Sequence, residues 1–429
     1  MTSEVGPDQG FVWIWLPEEI RPVVAGRIST GDGLFLFNYG QSYLARENAI
    51  PIYDPELPLR AGLIPPTPPL TIASALRDAA PDAWGRRVII NRLTGAQGEA
   101  ADTATLDELT YLMHSGSDRV GALDFQTSAT NYVARHSEAA SLESLLHAAE
   151  LVERGVALDP ALAETLEHGT AIGGARPKAL ITDGDAKYVA KFSSSNDTYS
   201  VVKAEFVAMR LADLAGLAVA PVRLVRAMKK DVLLITRFDR IRRDDGWSRR
   251  AMVSALTLFG LDEMMAAHAS YEDLTDIIRA RSSDPKKTLR ELFGRLVLNL
   301  LVGNTDDHAR NHAAFWDGTM LELTPAYDIC PQSRTGVEAS QAMRILGRER
   351  RSQLSLCLAS AAKYHLSEAA ALEEIARLVG VVRNHFDPLC DQAGLSDVDR
   401  RLLWRRQFLN VLAFEGLEEK LEAALRGLA

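Results

Sequence analysis

The chain has 429 residues, 47% hydrophobic and 24% charged, with a formal net charge of −9 at pH 7. That length accommodates two or three domains with at least one sizeable core, and the negative balance gives no global attraction to nucleic acid or anionic membrane. Three widely spaced cysteines, Cys330, Cys357 and Cys390, argue against a disulfide framework, and neither the start MTSEVGPDQG nor the interrupted apolar run LFGRLVLNLLVG resembles a signal peptide or a membrane span, so a cytoplasmic protein is expected.

From residue 11 to about residue 50, FVWIWL, PVVAGRI and LFLFNY are separated by proline, glycine and acidic turns, which predicts a small β-rich module. IPPTPPL, starting at Ile64, is an extended, stiff connector. AAPDAWGRRVIINRL then opens a helix at Pro81 and Asp82, with Trp84, Val88, Ile89 and Leu93 at helical spacing, expected to pack beneath that module. LDELTYLMHSG predicts a second helix stopped by Gly116. SDRVGALDF turns back into a strand, and residues 138–168 are helical with no evident chemistry.

Chemistry begins with GTAIGGARPKALI, where Gly173 and Gly174 precede Ala175, Arg176, Pro177 and Lys178 and a short apolar strand. Adjacent glycines let backbone N–H groups approach an anion, although a plain hairpin turn is equally compatible. Asp183-Gly184-Asp185 is a turn signal leading into AKYVAKF, which puts Tyr188, Ala190 and Phe192 on one face of a strand and Val189 and Lys191 on the other. A lysine in that place suits phosphate binding; a surface lysine is the plain alternative. The helix VVKAEFVAMRLADLAGL carries an apolar stripe of Val207, Leu211 and Leu214, ends at Gly216, and presents Glu205 as a partner for Lys191. Two strands follow, PVRLVRA and DVLLITRF. The arginines at 240, 242, 243, 249 and 250, and those at 344, 348, 350 and 351, are expected on solvated surfaces.

A helix with Leu289, Leu292, Phe293, Leu296, Val297 and Leu300 on its apolar face delivers the chain to NTDDHARN, residues 304–311, and PAYD ends at Asp328. An Asp shortly before an Asn, with a later Asp, is the arrangement ATP-dependent phosphotransferases use: Asp306 to accept the substrate hydroxyl proton, Asn311 and Asp328 to hold Mg²⁺ against the phosphates. Turn and cap chemistry is one alternative, and a zinc site using His308 and His312 with Asp306 or Asp307 is another. Short strands at 313–316 and 321–324 would return Asp328 to the loop. From residue 352 onward the pattern is of amphipathic helices that act as scaffold.

PDAWGRR, DRVGALDF, GGARPK, YVAKF, AEFVAMRLADLAGL, LITRFDR, NTDDHARN and PAYD, in that order, resemble the HipA family of bacterial serine/threonine kinases, toxins of toxin-antitoxin pairs. The resemblance implies an α+β, two-lobed protein-kinase-like fold: an N-terminal β-rich subdomain over 1–130, a small lobe over 131–245 and an all-α-rich large lobe over 246–429. It also implies Asp306 as the catalytic base, Asn311 and Asp328 on Mg²⁺, and His308, Ala309, Arg310 and Tyr327 bordering ATP. Gly173 to Lys178 would form the phosphate-side loop, Lys191 the phosphate lysine, and Thr236, Arg237, Phe238 and Asp239 the adenine side. Implied partners are a helix-turn-helix HipB-like antitoxin, operator DNA only through that complex, and a protein substrate such as an aminoacyl-tRNA synthetase. The serine often found before the glycine loop is replaced by Ala171, leaving Thr170 as the self-phosphorylation candidate. The alternatives are a small-molecule kinase and a partner-dependent DNA-binding co-repressor.

Overall fold

A computed structural model describes residues 6–94, 106–135, 141–154, 156, 176–194, 197–333, 336 and 338–428. The chain divides into two compact units. The first comprises Met1–Ser194, Val225–Val253 and Phe315–Thr319; the second comprises Ser195–Leu224, Ser254–Ala314 and Met320–Ala429.

In the first unit, β1 (Gln9–Ile14), β2 (Val23–Gly31), β3 (Leu34–Tyr39) and β4 (Leu123–Gln126) form a four-stranded sheet in the order β3-β2-β1-β4. Its neighbours β1, β2 and β4 are antiparallel, and β2 pairs antiparallel with β3. Val12, Ile14, Ile28, Phe37 and Phe125 are buried, the outcome expected when β-branched and aromatic residues occupy a pleated surface with one covered face. The proline segment is not extended throughout: its start docks, with Ile64 and Phe37 exchanging two backbone hydrogen bonds of 2.7 and 3.0 Å, and its end closes a turn in which Leu70 N donates to the Thr67 carbonyl at 3.0 Å. Of SDRVGALDF only the end is strand, and residues 117–122 form a loop whose charged side chains prove structural.

A second four-stranded sheet has the order β5-β6-β8-β7, with β5 at Lys178–Asp183, β6 at Ala186–Phe192, β7 at Val222–Ala227 and β8 at Lys230–Thr236. The β5–β6 hairpin turns where Asp183 pairs with Ala186, and Gly184 takes the φ of +58° that this tight turn requires. The helix Ala83–Thr94 does not stay beneath the first sheet. Trp84 and Val88 join Leu145, Leu146 and Ala149 of the helix Leu142–Glu153 in a core with Ala190, Phe192, Val232 and Leu234 of the second sheet. Period-3.6 spacing reveals a buried face but not its partner; fully burying one such side chain contributes roughly 1.5–3 kcal/mol wherever it lands. β9 (Arg240–Arg243) and β10 (Gly246–Arg249) form a separate antiparallel hairpin.

The second unit is largely helical. The helix Val201–Leu214 packs against Glu368–Ala393, which also lies against Pro285–Val302. In Val201–Leu214 the inward stripe runs through Ala204, Val207, Ala208 and Leu211; Leu214 is an exposed exception to the expected stripe, and Gly216 ends the turn at φ +74°. Among the described residues no helix is long and apolar enough to cross a membrane. The three cysteines are buried and free.

Candidate active site

The helix Pro285–Val302 sets the position of the 304–311 loop. Asp284 caps it by accepting from Lys287 N at 3.2 Å, and Pro285 occupies the first turn, where its missing N–H costs nothing. Leu289, Leu292, Phe293, Leu296, Val297 and Leu300 are all fully buried, which makes the helix a rigid support. Gly303 stops it at φ +72°, and a Cβ there would lie 2.7 Å from the Gln407 carbonyl oxygen, so the site needs glycine for both conformation and space.

Beyond Gly303 the chain is irregular and held by side-chain amides. Asn304 Nδ2 donates to Asn299 Oδ1 at 3.1 Å, Gln341 Nε2 donates to the Asn304 carbonyl at 2.9 Å, and Ala342 N donates to the Thr305 carbonyl at 3.0 Å. The two adjacent acids then part company. Asp306 is exposed, whereas Asp307 is buried, with the Tyr271 hydroxyl donating to one of its oxygens and His312 Nε2 lying 2.8 Å from the other. His308 and His312 flank a single 3-10 turn, so they do not share the α-helical face that the zinc alternative required, and His312 is buried against Asp307. Among the described residues no group of three or more His, Cys, Asp or Glu could hold a metal ion.

A single 3-10 turn, Ala309–Asn311, folds the loop back on itself. Asn311 N donates to the His308 carbonyl at 2.8 Å, and Asn311 Nδ2 donates to the Asp306 carbonyl at 3.0 Å, which turns Oδ1 away from that carbonyl. Arg310 pairs with Glu263 at 2.6 Å, and the Tyr327 hydroxyl donates to the Arg310 carbonyl at 2.6 Å, so PAYD is tied directly to the loop. Asp328 follows in the left-handed region at φ +58°. Partial burial pushes the Asp306 carboxyl above its ordinary pKa, the carboxylates of Asp328 and Asp307 add to that, and His308 opposes it. Electrostatically, Asp306 and Asp328 therefore share one locality. Asp306, His308, Ala309, Arg310, Asn311, Tyr327 and Asp328 are gathered in the second unit.

Asn311 Oδ1 and the Asp328 carboxylate are hard oxygen donors among clustered like charges, a set that fits Mg²⁺, which takes few protein ligands and completes its shell with water and phosphate. Zinc, with its preference for nitrogen and sulfur, does not suit it.

The first unit holds the other expected residues. Lys178 and Lys191 face each other across the β5–β6 ladder, both buried, and Phe192 N donates to the Pro177 carbonyl at 3.1 Å. Lys191 is thus no surface lysine. Lys178 Nζ also lies 3.2 Å from Asp82 Oδ2. Arg176 is half-buried; Thr170, Gly173, Gly174 and Ala175 lie outside the described residues. At the end of β8 and just beyond it, Thr236 and Phe238 are partly exposed while Arg237 and Asp239 are buried. The side chains of Arg237 and Asp239 bond to one another, with Nε to Oδ1 at 2.9 Å and Nη2 to Oδ2 at 2.8 Å, and both are held by the 117–122 loop. Nor is the arginine run at 240–250 wholly solvated surface. Arg240 and Arg249 are buried, and Arg242 stays exposed 3.3 Å from Asp185. Asp118, Tyr271 and Gln341 went unread in the sequence, and Asp307 was read there only as a ligand of the alternative zinc site. The signal for its buried role was the histidine placed to meet it at His312.

The sheet with its lysine strand, followed by a helical unit with an Asp–Asn–Asp loop system, defines a kinase-like α+β protein. A family model described as the HipA-like C-terminal domain matches residues 170–386, and one described as the HipA N-terminal domain matches residues 19–126. The chain belongs to the HipA family. It is 28% identical over 146 residues to the Sinorhizobium fredii protein named "Putative kinase Y4mE", a match covering 33% of each chain. It is also 28% identical over 141 residues to the serine/threonine-protein kinase toxin HipA of Shewanella oneidensis, covering 29% of this chain and 33% of that one. The chain thus spans about a third of the length of these curated relatives. In structure it resembles Shewanella oneidensis MR-1 HipA, solved with HipB and operator DNA, at a TM-score of 0.68 and 18% identity, over 94% of this chain and 99% of that one.

Proposed function

We propose that this protein transfers the γ-phosphate of ATP to a serine or threonine of another protein. The observation that carries this is the exposed Asp306 on a loop locked from beneath, with Asn311 bonded to its carbonyl and Asp328 in its electrostatic field. Asp306 accepts the hydroxyl proton of the acceptor residue. Asn311 and Asp328 would hold Mg²⁺, which neutralises charge developing on the phosphates. Lys191, with Lys178 and the segment from Gly173, is assigned to the phosphates; Thr236, Phe238 and the backbone between them are assigned to the adenine; His308, Ala309, Arg310 and Tyr327 are assigned to the nucleotide border. Little covalent work falls to the protein, so the rate comes from positioning and charge.

Family membership supports a role as the toxin of a toxin-antitoxin pair. The relative solved with HipB and operator DNA supports a HipB-like helix-turn-helix partner and DNA contact through it. We assign the acceptor to the translation machinery, an aminoacyl-tRNA synthetase being the first to test, and the compartment to the cytoplasm.

The test is transfer from γ-labelled ATP and Mg²⁺ into a bacterial lysate, wild type beside Asp306→Ala, with phosphosites read by mass spectrometry. Labelled Ser or Thr in a lysate protein, absent with the variant, is expected. Labelling of small molecules alone would replace the protein acceptor by a metabolite, and labelling that survives the variant would remove Asp306 from its role.

A further inference from the structure

Asp118 lies in the loop that follows the helix Glu108–His114, far in sequence from the strand segment it holds. Its Oδ1 accepts from Arg237 Nη1 at 3.0 Å and from Arg240 Nε at 2.9 Å, and its Oδ2 accepts from Lys187 Nζ at 2.5 Å. The neighbouring backbone takes up what remains. The Asp118 carbonyl accepts from Arg237 Nη1 at 3.0 Å, and the Arg119 carbonyl accepts from Arg237 Nη2 at 2.6 Å and from Arg240 Nη2. Asp239 Oδ2 accepts from Gly121 N at 2.9 Å and from Arg240 Nη1 at 2.9 Å. Arg249 adds a bond to the Ser117 carbonyl at 2.8 Å and stacks over Trp15.

Buried charges are costly unless they are paired and hydrogen-bonded; here Asp118 and Asp239 pair with Arg237 and Arg240, Asp118 also with Lys187, and Arg249 is held by the Ser117 carbonyl and the Trp15 ring. Burial alone would push the Asp118 carboxyl upward, yet Arg237, Arg240 and Lys187 hold it well below the usual carboxylate range. Removing one member would strand the others. Such a network adds little net stability over an apolar core of equal volume, but it fixes one geometry, because rigid guanidinium forks accept few alternatives.

What it fixes is the exit of β8. Thr236 pairs with Tyr188 in the ladder, Arg237 N donates to the Lys187 carbonyl at 2.8 Å, and side chains alternate from there. Arg237 and Asp239 turn into the network; Thr236 and Phe238 turn to the other side, where Phe238 meets Phe315 edge-on at 5.8 Å.

We propose that Asp118, Arg237, Asp239 and Arg240 are positioning residues for nucleotide binding: the 117–122 loop clamps the 236–239 segment so that Thr236 and Phe238 present a preformed surface to adenine. This rests on the assignment of that segment to the adenine. It gives the N-terminal part of the chain a task in the reaction.

The experiment compares wild type, Asp118→Asn and Asp118→Glu for melting temperature, MgATP affinity, kcat, KM for ATP, and the ratio of kcat/KM for ATP over GTP. Asp118→Asn is expected to raise KM and Kd for ATP about tenfold or more, with kcat at saturating ATP within about twofold and the preference for adenine flattened. Asp118→Glu should recover part of the affinity. If Asp118→Asn does not fold, Lys187→Gln, which removes a partly exposed partner, should give a smaller shift in the same direction. A lowered melting temperature with unchanged KM and unchanged ATP/GTP ratio would make the network purely structural and overturn the proposal. Wild type that binds MgATP and GTP equally would instead overturn the adenine assignment itself.

Discussion

Asp307 and His312 are buried side by side, Nε2 of the histidine 2.8 Å from Oδ1 of the carboxylate, with the Tyr271 hydroxyl donating to the other oxygen. One acid of the Asp306-Asp307 pair therefore faces outward while its neighbour anchors the loop. Asp307→Ala strands two buried donors at about 1–3 kcal/mol each, and Tyr271→Phe removes a bond to a charged acceptor worth roughly 1.5–3 kcal/mol. Urea unfolding should show both losses, larger for Asp307→Ala, together with reduced phosphate transfer.

Asp306→Asn should remove the proposed general base at little cost to folding, since the side chain is exposed. Transfer is expected to fall by about 10²–10⁴ while MgATP binding persists, as measured by single-turnover assay and titration calorimetry.

Asp328 adopts φ +58°, a conformation that asparagine tolerates and alanine resists. Asp328→Asn should keep the fold and lose Mg²⁺-dependent transfer; Asp328→Ala should lose the same activity and about 1 kcal/mol of stability besides. Thermal melts of the two variants separate metal binding from backbone strain.

At Gly303 an added methyl meets the Gln407 backbone at 2.7–3.1 Å, and the φ of +72° compounds the clash. Gly303→Ala should cost about 1–3 kcal/mol and displace the start of the loop. Chemical denaturation and the transfer assay, read together, check this.

Glu56 caps the turn at Ser74 by accepting from Ala75 N at 2.8 Å, and its other carboxyl oxygen has no partner. Burial pushes its pKa from 4.5 up to about 7, with the amides of Ala75 and Ser74 opposing. The folded state thus retains a proton that the unfolded chain has lost. This contribution to stability is full below 4.5, declines as pH rises toward about 7, and is flat above that. Glu56→Gln should flatten this part of the stability-against-pH curve, measured by denaturation at about pH 5 and about pH 8.

Much was legible because local rules acted locally. Gly184 and Gly216 mark turns that only glycine makes cheaply, and the alternation in AKYVAKF follows from strand geometry. NTDDHARN could be read as a loop since its polar residues satisfy each other over a few positions. Partners distant in the chain were not legible. Asp118 meets Arg237 and Arg240, Trp84 meets the second sheet rather than the first, and Tyr271 meets Asp307, in each case through tertiary folding that no periodicity encodes. The arginines near 240 looked like surface for the same reason: Asp239 is adjacent, but the carboxylate that Arg237 and Arg240 share, Asp118, lies more than a hundred positions earlier.

The network around Asp118 also bears on where this polypeptide tolerates cutting. A fragment starting after residue 130 would discard Asp118 and the carbonyls of Ser117, Arg119 and Gly121, leaving Asp239 alone against Lys187, Arg237, Arg240 and Arg249. The newly bared patch would be strongly cationic and poorly hydrogen-bonded, and such a truncation should come out insoluble or sticky toward nucleic acid. A sensible sequence boundary is here a poor place for scissors.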